Sequence, residues 1–186
     1  MNYSLTIREE DYQSLRAVVF SMEGTEGAAY VLCGESKTED ELRLLVRSVI
    51  PVSPEHYLAR RRDFLSLASA SYARVAKLAQ REDLSIVFAH SHPGGFLEYS
   101  PQDDREEVKL QEFFSSRAPT HLHGSLVLAD DGVIGRIFDR EFVPLTRIRI
   151  MGQRFVFHDR VRGHAQNLHF FDRQVRAFGP EVQTLL

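Results

Sequence analysis

Four side chains capable of metal chemistry fall within one short stretch: His90, His92, Ser100 and Asp103, in His90-Ser91-His92-Pro93-Gly94-Gly95-Phe96-Leu97-Glu98-Tyr99-Ser100-Pro101-Gln102-Asp103. In a strand, residues i and i+2 project from the same face, so His90 and His92 can present two imidazoles side by side while Ser91 points away. The Gly-containing loop lets the chain fold back. Ser100-Pro101-Gln102-Asp103 then reads as a helix start, with Ser at N-cap, Pro at N1 and an acid in the first turn. Two neutral imidazoles and one carboxylate make a three-ligand zinc site with its fourth position open to water, as catalytic zinc requires. Each half has an ordinary explanation when taken alone, as pocket histidines or as a simple cap. His121-Leu122-His123 supplies an internal control. It lacks a serine-and-acid helix start at matching spacing and reads as structural.

The elements that must position these residues follow from periodicity and punctuation. Ser4 to Ile7 alternates as a short strand, and Arg8 to Phe20 has helical spacing. After a break at Gly24 to Gly27, Ala28 to Gly34 reads as a buried strand and Glu41 to Val52 as another. Asp63 to Gln80 is expected to be a long helix, with the basic run Arg60-Arg61-Arg62 at its solvated start. Leu84 to His92 is a strand ended by Pro93-Gly94-Gly95, and Pro101 to about Arg117 is a helix. Leu122 to Leu128 and Val133 to Phe138 flank the turn signal Asp130-Asp131-Gly132, and Phe142 to Phe157 carries one or two more strands. Interspersed helices and strands point to an α/β fold, with helices against a curved mixed sheet.

Composition narrows the function classes. With 43% hydrophobic and 26% charged residues over 186 positions, the chain is globular rather than disordered. A net charge of -3 offers no basic field for nucleic acid. The single cysteine, Cys33, excludes an internal disulfide and sits in an apolar run as a buried thiol. No apolar run approaches the ~18 residues of a membrane span, and the N-terminus lacks the pattern of a secretory signal. The expected compartment is the cytoplasm.

The joint pattern, His-x-His, seven residues, then Ser-x-x-Asp, resembles the signature of JAMM/MPN zinc metalloproteases, and Pro93 after the second histidine is similar too. The resemblance spans roughly Leu5 to Phe157 and implies a single domain over 1–160, a curved mixed sheet flanked by two main helices. It implies zinc on His90, His92 and Asp103. It also implies a glutamate base just before an early apolar strand, for which Glu26 is the first choice and Glu23 the runner-up. Ser100 becomes a hydrogen-bond donor to the developing oxyanion, while Asp104 reads as a solvated first-turn acid.

Phe171, Asp172, Arg173, Gln174, Gly179, Glu181 and Gln183 look like the opening of ThiF/MoeB-type and ubiquitin-activating adenylating domains. Residues 161–186 are therefore expected to be a linker and the truncated start of such a domain. Together the resemblances imply a bacterial isopeptidase acting after the C-terminal glycine of a ubiquitin-like protein. Activating and conjugating enzymes of the same system would be its partners, and antiphage defence is one setting. Two alternatives remain at this stage: a catalytically silent MPN scaffold that binds partner proteins, and a general JAMM peptidase.

Overall fold

The computed structural model describes residues 1–159. In chain order it contains β1 (Asn2–Arg8), α1 (Glu9–Val19), β2 (Ala28–Lys37), β3 (Glu41–Pro51), a 3-10 turn (Pro54–His56), β4 (Tyr57–Arg60), β5 (Leu65–Leu67), α2 (Ser69–Glu82) and β6 (Ser85–Ser91). There follow α3 (Pro101–Arg117), β7 (His123–Ala129), β8 (Gly132–Asp139), β9 (Glu141–Pro144), β10 (Arg147–Met151) and β11 (Phe155–Asp159). Nine strands form one mixed sheet in the order β11-β10-β1-β3-β2-β6-β7-β8-β9. β8 also approaches β10 and β11, so the sheet curls on itself. β4 and β5 form a separate two-stranded ribbon.

Both faces of the central strands are buried, which explains their unbroken apolar runs. Ala29, Val31 and Cys33 of β2 and Val87 and Ala89 of β6 face one way, onto Leu15 and Val19 of α1. Ala28, Tyr30 and Leu32, with Ile86 and Phe88, face the other way onto Val75, Ala76 and Ala79 of α2 and Phe114 of α3. Cys33 is fully buried, and burial pushes its thiol pKa up, as expected of a packing residue rather than a nucleophile. The period of two carries the Ile86–Phe88 face on to His90, so the histidines emerge on the side of α2 and α3.

Four expectations need correction. The helix expected over 63–80 begins only at Ser69, because Leu65–Leu67 pairs with Tyr57–Arg60 instead. Phe64 and Leu67 therefore lie ahead of the helix, and Arg60-Arg61-Arg62 closes β4 and enters the ribbon turn rather than starting a helix. Among the described residues three helices cover the sheet, where the resemblance implies two main ones. The segment from Phe142 to Phe157 spans three strands. The expected adenylating-domain opening at 161–186 lies outside the described residues. No helix among the described residues is long and apolar enough to cross a membrane.

Candidate metal centre

β6 delivers both imidazoles from one face. His90 Nε2 lies 3.1 Å from His92 Nε2. Asp103 closes the group, with Oδ1 3.3 Å from His90 Nε2 and Oδ2 3.5 Å from His92 Nε2. One potential ligand atom from each of these three residues lies within 4.8 Å of the others, so the group could hold a metal ion. The donor set, two imidazoles and a carboxylate with no thiolate, suits zinc with an open coordination position.

Asp103 has a second task. Ser100 Oγ accepts from the Asp103 N–H at 3.2 Å, and Asp103 Oδ2 accepts from the Ser100 N–H at 2.7 Å. This is a capping box, and it fixes the carboxylate at the start of α3 with Oδ1 left toward His90. Burial alone would raise the Asp103 pKa; hydrogen bonds from His90, His92 and the Ser100 backbone overcome it and hold the carboxyl far below its usual range. His90 is 2% exposed. Burial opposes charge on it, but Asp103, Glu107 and Glu26 outweigh that and raise its pKa.

Strand register places Glu26. β2 and β6 are antiparallel with Ala28 opposite His90, so continuing two residues puts Glu26 opposite His92. Its Oε1 lies 3.9 Å from His92 Nε2. Glu23 is exposed in the preceding turn. Ser91, on the opposite face from the histidines, ties this corner together: its Oγ donates to the Val19 carbonyl at 2.7 Å and accepts from the Gly27 N–H at 3.0 Å. A Cβ at Gly27 would collide with the Val19 carbonyl, so only glycine fits there. From the ribbon, Arg60 Nε donates to the Glu26 carbonyl, and the Glu26 N–H donates to the Arg61 carbonyl at 2.8 Å. Burial pushes the Glu26 carboxyl up to about 7; His90 and His92 pull it down, and Asp103 and Asp63 add to the rise.

Glu26, His90, Ser100 and Asp103 open into a cleft of about 400 Å³ with Leu67, Tyr72 and Phe113 also among its walls. A larger cavity of about 1020 Å³ lies elsewhere, along α2 beside Arg74 and Lys77, and contains none of these residues.

In the second His-x-His, His123 bridges two backbone groups. His123 Nδ1 accepts from the Ile86 N–H at 3.0 Å, leaving Nε2 to donate to the Ala118 carbonyl at 3.1 Å. Its burial lowers its pKa to about 4. Two residues of the site's surroundings were missed. Glu107 is buried with Oε1 3.5 Å from His90 Nδ1, and Arg136 binds both Glu107 and Asp104. Asp104 is thus an ion-pair partner rather than a merely solvated acid. The four-residue step from Asp103 was the available signal for Glu107, because it places both on one helix face.

No family model matches the sequence, and no curated protein matches it. Among solved structures, the solution structure of protein DSY2949 from Desulfitobacterium hafniense is similar over 88% of this chain and 99% of that one, with a TM-score of 0.51 and 14% identity. At that identity the likeness is one of fold.

Proposed function

We propose that this chain is a zinc-dependent peptidase of the JAMM/MPN type that cleaves after the C-terminal glycine of a ubiquitin-like protein, in precursor processing or deconjugation. The observation that carries the reading is the convergence of His90, His92 and Asp103 at 3.1–3.5 Å, with Glu26 3.9 Å from His92, beside a cleft that Glu26, His90 and Asp103 line. Bound by those three residues, zinc supplies Lewis-acid polarisation of a peptide carbonyl and acidification of water.

The chain's own groups then divide the work. Glu26, with its carboxylate 3.9 Å from His92 Nε2 and opening into the cleft, is placed to take a proton and return it to the leaving amine. Ser100 uses its lone pairs for the cap and keeps its hydroxyl proton for the developing oxyanion, a donor commonly worth ~3 kcal/mol. The capping box holds the Asp103 carboxylate in place through the Ser100 backbone N–H. A chain end rich in glycine enters such a cleft without Cβ obstruction. Specificity in this reading comes from docking a folded ubiquitin-like domain supplied by activating and conjugating enzymes of the same bacterial cytoplasm.

Incubation with ubiquitin-like precursors, with the cut mapped by mass spectrometry, tests the reading. Cleavage after the terminal glycine is expected, with strong loss when that glycine becomes valine. Equal cleavage of casein, with valine tolerated at the cut site, would point to a general peptidase instead.

A further inference from the structure

Glu107 and His90 present an unfinished interaction. Glu107 is 3% exposed and lies one helical turn after Asp103. Its Oε2 is saturated: Arg136 donates from Nη2 at 2.7 Å and Nε at 3.2 Å, and Ser125 Oγ donates as well. Its Oε1 is buried and has no hydrogen-bond partner, and neither does His90 Nδ1, 3.5 Å away. Two buried polar atoms facing each other and left idle need a reason, since each forgoes hydration. Arg136 cannot easily swing away to relax the pair. Its guanidinium sits between the Tyr99 and Phe142 rings, 3.6 Å from each centroid, and also binds Asp104. The carboxylate is therefore fixed on one side, with its free oxygen aimed at the imidazole.

A metal takes the lone pair of one imidazole nitrogen, and the proton must then reside on the other. Metal-ligating histidines commonly donate that second N–H to a carboxylate, which sets the tautomer and strengthens the ligand. Resting on the metal reading above, we infer that Glu107, braced by Arg136, is a positioning residue that keeps the His90 proton on Nδ1 and turns the Nε2 lone pair toward Asp103 and His92. His92 has a different support: its Nδ1 faces the Phe96 carbonyl at 3.3 Å, on an exposed loop. The two imidazoles are thus held unequally, one by a buried charged group and one by a neutral surface carbonyl.

Zinc affinity of the full chain, measured by competition with a chromophoric chelator, provides the test without any substrate. Glu107→Gln should weaken zinc binding about tenfold to a hundredfold, with Glu107→Asp recovering part of the loss. Unchanged affinity in a folded Glu107→Gln protein overturns the assignment. Wild-type protein that binds no zinc overturns the metal reading itself, a separate outcome. Should Glu107→Gln fail to fold, nitrogen NMR of the zinc-loaded wild type decides. His90 metallated through Nε2, with an Nδ1 proton exchanging more slowly than that of His92, is expected. Metallation of His90 through Nδ1, or equal exchange at the two rings, overturns the proposal.

Discussion

Glu26 and Ser100 separate two kinds of residue effect at this site. Glu26 lies beside the imidazoles but makes no cap and ends no helix, so Glu26→Gln should leave zinc content intact. Its turnover should fall by about 10²–10⁴-fold, the usual range for a lost acid–base group. Glu23→Gln, at an exposed turn position, should behave as wild type in the same peptidase assay. If Glu23→Gln loses activity and Glu26→Gln does not, the base has been assigned to the wrong residue. Ser100 combines two roles, so Ser100→Ala should show two losses. Thermal melting should report about 1 kcal/mol from the missing N-cap, and peptidase kinetics about 10²–10³-fold in kcat from the missing donor. A Ser100→Ala protein with lowered stability but full kcat would leave Ser100 as a cap alone.

At the scale of elements, the β6–β7–α3 junction carries a pH dependence through His123. Its Nδ1 already accepts from Ile86 and its Nε2 donates to Ala118, so a second proton would set two donors against each other. The folded pKa of about 4 lies below the ordinary 6.5, so the unfolded chain binds more protons between those values. His123 therefore contributes stability that is present above about pH 6.5 and fades as pH falls toward 4, up to about 3 kcal/mol in all. His121 and Glu35, the neighbouring titratable groups, modulate this in opposite directions. Denaturant melts of wild type and His123→Gln across that window should show a flatter pH slope in the variant; equal slopes would contradict it. The same elements show what a sequence can reveal. The imidazole pair and the serine-capped acid are local patterns, set by a strand period of two and by helix-start chemistry, and both were legible. The onset of α2 was not, because Ala68 at its N-cap makes no side-chain hydrogen bond and Phe64 and Leu67 fit helical spacing as well as they fit a ribbon. Glu26 needed the β2–β6 register, and Arg136 needed a tertiary contact with Glu107 across 29 residues of chain.

For the molecule as a whole, a sheet buried on both faces explains how a short apolar strand can hold polar ligands rigidly at its end. Phe114 joins α3 to this core and is fully buried, so Phe114→Ala should cost about 3–5 kcal/mol in denaturant melts. Loosening α3 should also weaken zinc binding, since Asp103 and Glu107 ride on that helix. Full zinc affinity in a strongly destabilised Phe114→Ala protein would show that the site does not depend on this packing. The single observation on which everything else rests is metal content. Elemental analysis of purified wild-type, His92→Ala and Asp103→Ala proteins should find about one zinc per chain in the first and a large loss in both variants. Zinc-free wild type, or equal zinc in all three, would contradict the metal centre on which the proposed chemistry depends.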